Sequence, residues 1–349
     1  MVMGKRCDVE TAGLAGTIAA IGGLGSEIGR ELLRSTDHLP WQGPNSPPVN
    51  LYREGIRRVL KGMFNYSATC DVPQLRSLEV VIDDISGVML PLPWRRPFVN
   101  IDHGVDFSGV PCDVVSPRGG ERNGVVLYFH GGGYVATTPR MYGGLVTRLA
   151  LDTGCEVVVP DYRLAPEFPF PAGLDDVRLV YSAVREKYQP EDIIVAGDSG
   201  GGGLAASFLV SLKMDGEAQP AGGILLSPEI DLTMRRPSIA GNATTDILPD
   251  HIPVDPYLHG IDPHDPLVSP IYADPRSFPP LLVTAGDEEM FADQIKAFVK
   301  RVRDAGGDVW FFDAPDLFHV FEIVLPWTRG SDHAFSDITA FVDQRLAVD

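Results

Sequence analysis

Residues 193–201 read IIVAGDSGG, a run of apolar and mostly β-branched residues that ends in a serine flanked by glycines. The apolar run predicts a buried strand over 193–197, and the helical pattern of 200–213 begins directly after the serine. Ser199 therefore lies in a G-x-S-x-G motif at a strand-to-helix turn. The flanking glycines permit a strained backbone there and let the strand and the helix approach closely.

The same alternation of short apolar runs and longer helical patterns extends from about residue 110 to the C-terminus. It predicts an α/β protein whose mostly parallel central sheet carries helices on both faces, because near-continuous apolar strands are typical of buried parallel sheets. The predicted strands are 125–129, 156–160, 193–197, 222–226, 281–285 and 309–312. The predicted helices lie near 139–151, 172–188, 200–213, 291–305 and 333–347.

Two regions interrupt this alternation. Residues 1–75 contain a helical pattern near 52–64 and a proline-rich connector, and residues 227–280 are dense in Pro, Asp and His. Because neither region supplies a clear sheet strand, we expect both to fold over the sheet as a helical cap. We therefore predict an N-terminal cap region at 1–75 and an α/β domain at 76–349, with a further cap insertion at about 228–275.

The composition limits the partners that this protein can have. The 349 residues include 29 Lys and Arg against 47 Asp and Glu, a formal net charge of -18. Such a surface repels phosphate backbones and anionic lipid headgroups, so we expect neither nucleic acid nor stable membrane insertion. The 4 cysteines are far apart and lack metal-ligand spacing, which predicts isolated thiols and no bound metal.

Residues 11–26 form an uncharged stretch that could be taken for a targeting segment. Asp8 and Glu10 interrupt the charge pattern that a signal peptide needs. The stretch is also rich in glycine and shorter than the roughly 20 apolar residues that span a bilayer. We therefore expect a soluble, cytoplasmic protein, and the sequence leaves open whether it forms a homodimer.

Ser199 could act as a nucleophile only with help from other residues, because a serine hydroxyl is a weak nucleophile at neutral pH. Residues 130–134 read HGGGY directly after the strand 125–129. Glycine amides there, together with the amide after the serine, can form an oxyanion hole. Without such chemistry, the turn at Ser199 would be a plain structural turn or a phosphate site at a helix N-terminus.

The base is expected after the last strand, because the chain order in such folds is serine, acid, histidine. His319 lies just past the strand 309–312 and fits this order, although a histidine among apolar residues can also be a satisfied core residue. His333 is the weaker rival, within the predicted terminal helix. His130 precedes the serine, so we interpret it as a residue that braces the glycine loop.

The acid is expected after the strand 281–285, where residues 286–293 read GDEEMFAD. A carboxylate there would hold the histidine tautomer and stabilise the imidazolium that forms. The helix dipole also favours acidic residues in a first helical turn, and Asp287 is predicted to be an N-cap. These considerations alone leave the choice of the acid open.

Taken together, the motifs resemble those of the hormone-sensitive-lipase-like family of α/β-hydrolases, the family IV microbial esterases. The resemblance covers the chain from about residue 110 to its end. The matching segments are HGGG at 130–133, YRLAPE with FPFP at 162–171, GDSGGG at 197–202, SP with DLT at 227–233, and DPLVSP at 265–270.

The resemblance implies a serine carboxylesterase that hydrolyses short- to medium-chain esters through an acyl-enzyme intermediate. It implies a small-molecule ester as the partner, no cofactor, and a cap that encloses the acyl-binding pocket. The implied nucleophile is Ser199, the implied base is His319, and the implied oxyanion hole consists of the amides of Gly132, Gly133 and Gly200.

The sequence departs from the family pattern at two places. Gly200 stands where alanine is common, which should loosen the turn and keep the amide. The usual D-P-L-x-D acid motif is absent, and placing Asp293 on its second aspartate puts Glu289 on its catalytic position. We therefore favour Glu289 as the acid, with Asp287 as the runner-up and Asp293 as a structural residue.

Two other functions fit the same fold. Plant hormone receptors that resemble this family have lost the catalytic histidine and bind ligands without chemistry, and the presence of His319 argues against that function. An amidase or an acyltransferase would use the same triad. The motifs do not define the acyl-chain length, the alcohol or the enantiopreference.

Overall fold

The protein is built around an eight-stranded sheet. The structure is a computed structural model, and it describes residues 10–34, 47–89, 96–119 and 124–346. Its strands are β1 (Val99–Phe107), β2 (Val110–Pro117), β3 (Val125–Phe129), β4 (Glu156–Pro160), β5 (Ile193–Asp198), β6 (Gly222–Leu226), β7 (Leu281–Gly286) and β8 (Val309–Ala314). Their order across the sheet is β1-β2-β4-β3-β5-β6-β7-β8. β2 is antiparallel to both of its neighbours, and β3 to β8 are parallel, which confirms the predicted mostly parallel sheet.

Helices cover both faces of the sheet, as predicted. One face packs against a core that includes Phe208 and Phe298, and the other packs against Leu145, Phe335 and Phe341. In the described residues the α-helices are α1 (Gly13–Leu33), α2 (Pro47–Ser67), α3 (Val72–Met89), α4 (Gly143–Thr153), α5 (Ala172–Val184), α6 (Ser199–Met214), α7 (Pro237–Gly241), α8 (Asp255–Leu258), α9 (Ala292–Asp304), α10 (Phe321–Val324) and α11 (Arg329–Arg345).

The structure corrects the sequence-based expectations at a few elements. All six predicted strands are present as β3 to β8, whereas β1 and β2 were not predicted. β1 is an edge strand with mostly exposed side chains, so it lacks the apolar run of a buried strand. The N-cap prediction for Asp287 is wrong, because α9 begins at Ala292 and Phe291 occupies the N-cap position.

The N-terminal helices pack on one another and contact the segment between β6 and β7. The buried Lys61 of α2 donates a hydrogen bond to the carbonyl of Ala243 (2.7 Å) and pairs with Asp250 (2.9 Å). The predicted boundary at residue 75 lies inside α3, and residues 11–26 fall largely in α1. Within the described ranges, the structure contains no helix that is both long and apolar enough to cross a bilayer.

Candidate active site

Ser199 is held at a sharp turn between β5 and α6. It is the first residue of α6 and has a φ of 51°, in the left-handed region that residues with a side chain rarely adopt. The turn brings backbones very close together, since a side-chain carbon on Gly201 would lie 2.2 Å from the carbonyl oxygen of Phe129. Only glycine fits at that position, and the turn presents Ser199 at the carboxyl end of the parallel strands.

Asp198 ties this turn to the glycine loop that follows β3. Its buried carboxylate accepts hydrogen bonds from the Tyr128 hydroxyl (2.7 Å), the Gly131 amide (2.9 Å) and the Tyr142 hydroxyl (3.2 Å). Burial raises the pKa of the Asp198 carboxyl to about 6, while the three donors favour its charged form. The carboxylate therefore fixes the start of the loop relative to Ser199.

His319 connects Ser199 to Glu289. Its Nε2 lies 2.8 Å from the Oγ of Ser199, and its Nδ1 lies 3.3 Å from an Oε atom of Glu289. All three residues are buried. The structure thus brings together three residues that follow β5, β7 and β8 in the chain.

The rival candidates lie in other environments. Asp287 is exposed, and its amide donates to the carbonyl of Ala314 at 3.0 Å. The exposed His333 lies in α11, 3.6 Å from Asp337. His130 stacks on the ring of Tyr162 with ring centroids 4.4 Å apart, in keeping with a bracing role in the loop.

Asp246 is a buried residue of the site that no sequence motif marks. One of its carboxylate oxygens accepts the amide of His319 at 3.1 Å, and the other accepts the amide of Met290 at 2.7 Å. Asp246 thereby joins the loop of His319 to the loop that contains Glu289. Nearby, Asp293 accepts the amide of Ser238 at 2.8 Å and anchors the same segment to α9. In the sequence, the high density of Asp in residues 227–280 was the only indication of a role for Asp246.

The glycine loop passes directly against the first turn of α6. Gly132 and Gly133 have φ values of 108° and 60°, which this tight loop requires. A side-chain carbon on Gly200 would lie 3.0 Å from the amide nitrogens of both Gly133 and Tyr134. The absence of a side chain at Gly200 therefore permits the loop and the helix N-terminus to approach within contact distance.

This chain matches a known family over most of its α/β domain. A sequence profile of a protein family with the alpha/beta hydrolase fold matches residues 126–323, which are more than half of the chain. The chain belongs to this alpha/beta hydrolase family. The match includes the glycine loop, the turn at Ser199, Glu289 and His319.

Individual relatives of this alpha/beta hydrolase are named for ester hydrolysis. An acetyl-hydrolase of Streptomyces hygroscopicus is 35% identical over 212 residues, which are 58% of this chain and 71% of that protein. An esterase of Acinetobacter venetianus is 34% identical over 223 residues, 62% of this chain and 74% of that protein. A crystal structure of an esterase from the bacterial hormone-sensitive lipase family aligns with a TM-score of 0.74 at 32% identity, covering 84% of this chain and 98% of that one.

These likenesses confirm the predicted hormone-sensitive-lipase-like family. They also confirm that the chain is a carboxylic ester hydrolase.

Burial dominates the electrostatics of the hydrolase's site. It raises the pKa of the Glu289 carboxyl and lowers the pKa of His319, and the 3.3 Å pairing of the two groups opposes both shifts because each charged form favours the other. The nearby carboxylates of Asp246 and Asp198 act on His319 in the opposite direction and limit that decrease in pKa. The resting site therefore favours a neutral imidazole, which is the form that can accept a proton.

Helix α3 braces the loop after β3 in this hydrolase. The Arg76 guanidinium donates to the carbonyl of Val135 at 2.7 Å and pairs with Glu167 at 2.6 Å. The Glu79 carboxylate accepts the amide of Thr137 at 2.8 Å and also pairs with Arg76. A helix from the N-terminal region thus holds the segment that follows the glycine loop.

Replacing Arg76 by methionine should lower the free energy of unfolding by about 3–5 kcal/mol, because the variant leaves the largely buried Glu79 and Glu167 without their cation. Urea denaturation of the full chain would measure the change. The control is Arg140→Met, since Arg140 is 45% exposed in its pair with Asp83 and should contribute less than about 1 kcal/mol. An equally small loss for Arg76→Met would contradict the bracing role.

Proposed function

We propose that this hydrolase is a serine carboxylesterase that cleaves short- to medium-chain esters through an acyl-enzyme intermediate. The observation that carries the proposal is the position of His319, within hydrogen-bonding distance of the Ser199 hydroxyl and with its other nitrogen facing Glu289. The chain order serine, acid, histidine is the order typical of this fold.

In the proposed mechanism, the Oγ of Ser199 attacks the ester carbonyl while the Nε2 of His319 accepts the hydroxyl proton. The Glu289 carboxylate accepts a hydrogen bond from the Nδ1–H of the imidazole, which holds the tautomer and stabilises the imidazolium. His319 then donates its proton to the leaving alcohol, and the acyl-enzyme remains. A water molecule deprotonated by the same nitrogen attacks the acyl-enzyme, releases the carboxylic acid and regenerates Ser199.

The proposed oxyanion hole consists of the amides of Gly132, Gly133 and Gly200. The contact between the glycine loop and the first turn of α6 supports this assignment, because it brings amides of both segments to one place. Donors that are already oriented toward the developing negative charge stabilise the tetrahedral intermediate without reorganisation. The hydrogen bonds of Asp198 keep the loop in that position.

The proposed cap consists of the N-terminal helices and the segment between β6 and β7. Contacts of Lys61 and Arg57 with residues 243–250 support a joint role, since they tie the two regions together. Ser199 itself is only 7% exposed, and we propose that the cap encloses the acyl-binding pocket beside it. An enclosed space limits the acyl chain that can be accommodated.

The acyl preference should appear in a series of 4-nitrophenyl esters from acetate to palmitate. We expect kcat/KM to peak between acetate and octanoate and to be at least about tenfold lower for palmitate, because added methylenes lose their favourable contacts once the pocket is full. The series should be measured below the micellar concentration of each ester. A rate that rises steadily with chain length into emulsified long-chain lipid would exclude the proposed preference.

The acid limb of the pH profile should lie at a lower pH than an ordinary histidine would give. Since burial lowers the pKa of His319, the imidazole stays neutral at pH values where an ordinary histidine is already protonated. The midpoint of the acid limb of kcat/KM, which reports the free enzyme, should therefore lie below pH 6.5. Enzyme returned from each pH to neutral buffer should recover full activity, and a reversible midpoint above 6.5 would contradict the prediction.

A further inference from the structure

Two buried polar side chains beside the proposed site lack hydrogen-bonding partners. Glu229 is 2% exposed, and in the described part of the chain its carboxyl group makes neither a hydrogen bond nor an ion pair. Tyr257 is 4% exposed, and its hydroxyl also has no partner among the described residues. A buried polar group without a partner costs about 1–3 kcal/mol, so such groups call for a functional explanation.

Both side chains belong to one cluster next to the nucleophile. The amide of Glu229 donates to the carbonyl of Ser199 at 2.9 Å, and its carbonyl accepts the Tyr134 hydroxyl at 3.2 Å. Tyr134 directly follows Gly133 of the glycine loop. Its ring stacks on that of Tyr257, with centroids 3.9 Å apart and planes 10° from parallel. The cluster therefore links the nucleophile turn, the glycine loop and helix α8.

The chemistry of the cluster is that of neutral hydrogen-bond donors. Burial raises the pKa of the Glu229 carboxyl to about 8, with no cation to offset it. The Tyr134 hydroxyl bonds to the backbone carbonyl of Glu229 and the Tyr257 ring stacks on that of Tyr134, so the three residues are neighbours, and the Glu229 carboxyl raises the pKa of both phenols. At pH 7 the cluster thus offers a protonated carboxyl and a free phenol hydroxyl, and two donors are suited to bind an uncharged acceptor oxygen.

We propose that Glu229 and Tyr257 form a subsite that binds an acceptor oxygen in the acyl chain of the ester, beyond the scissile carbonyl. The preferred substrates then carry an ether, carbonyl or hydroxyl oxygen in that chain. The subsite rests on the proposed function, because both residues belong to the segment that we assign to the cap over the acyl pocket.

An oxygen scan of the acyl chain tests the subsite with the full-length enzyme. The substrates are 4-nitrophenyl hexanoate and three analogues in which an ether oxygen replaces the methylene at chain position 3, 4 or 5. For each analogue, the kcat/KM is divided by that of hexanoate. Comparing this ratio between enzyme variants cancels the intrinsic reactivity of each ester.

In Tyr257→Phe and in Glu229→Met the ratio should fall about 5–30-fold for at least one analogue, the effect of losing one hydrogen bond. Tyr188→Phe is the control, because Tyr188 is also a buried tyrosine but its hydroxyl lies near Glu156, away from the cluster. Ratios that stay constant for all three analogues in both variants overturn the subsite.

A second measurement needs no variant and so decides the question even if one fails to fold. Between pH 6.5 and pH 9 the Glu229 carboxyl should lose its proton and become an acceptor only, so the wild-type ratio for the affected analogue should fall. Tyr134 and Tyr257, the titratable groups facing it, stay protonated over this range. A constant ratio across this pH range overturns the subsite.

Failure of the subsite is distinguishable from failure of the proposed function. If the wild-type enzyme hydrolyses hexanoate and Ser199→Ala does not, the proposed function stands whatever the ratios show. If hexanoate hydrolysis does not depend on Ser199, the proposed function fails, and the subsite fails with it.

Discussion

Replacing Ser199 by alanine should lower turnover of a short-chain aryl ester by about a million-fold, the loss typical of a triad serine. The reason is the geometry around the hydroxyl, whose oxygen lies 2.8 Å from the Nε2 of His319 and is the atom that attacks the ester in the proposed mechanism. The turnover number should be measured with 4-nitrophenyl butyrate under saturating conditions. The substitution removes one oxygen atom and leaves the left-handed turn intact, so thermal unfolding should be nearly unchanged.

The matched control is Ser207→Ala, because Ser207 is also a buried serine of α6 but lies two turns further along the helix. Its turnover should stay within about twofold of the wild-type value. A serine-directed organophosphonate should label the wild type and the Ser207 variant at one residue and should not label Ser199→Ala. Comparable hydrolysis by Ser199→Ala would remove Ser199 from the mechanism.

Replacing Glu289 by glutamine should lower turnover by about ten-thousand-fold, the effect of the equivalent aspartate-to-asparagine change in serine proteases. Glutamine keeps the shape of the buried side chain but removes the charge that stabilises the His319 imidazolium and can present the wrong hydrogen-bonding group to Nδ1. Turnover of the same butyrate ester is the measurement. The pH profile of the residual activity would show whether the wrong histidine tautomer or the lost charge causes most of the decrease in turnover.

Asp287→Asn is the control for this prediction. Asp287 is exposed and is not the N-cap of α9, so its replacement should change both turnover and the free energy of unfolding very little, within about 0.5 kcal/mol for the latter. If Asp287→Asn is inactive while Glu289→Gln keeps its activity, the acid of the triad is Asp287, two residues before Glu289.

The parallel part of the fold could be predicted because its strands are buried on both faces. Such strands are apolar along most of their length, and β3 to β7 therefore appear as nearly continuous runs. β8 is an edge strand that is only partly buried, but its residues 309–312 are all apolar, so it could be predicted as well. β1 has an exposed face and charged residues within it, so its hydrophobic pattern is weak. The helical pattern near 52–64 is confirmed as part of α2, whereas α1 and α3 were not predicted.

The proposed site was partly predictable for a different reason. Ser199 and His319 occupy positions that the order of the strands defines, so each could be located before its environment was known. Glu289 required a motif to be aligned, because several carboxylates follow β7. Asp246 could not be found from the sequence, since its role depends on two backbone amides that come close only in the folded chain.

The contacts of Lys61 carry a consequence for synthesis on the ribosome. Its carbonyl partner Ala243 lies 182 residues further along the chain, so α2 is made long before the segment on which it docks has left the exit tunnel. Until then α2 can pack on α1 but lacks the later segment that covers its other side. The uncovered side of α2 must therefore be kept from aggregating while the following 182 residues are made, and a holding chaperone can bind it during that interval.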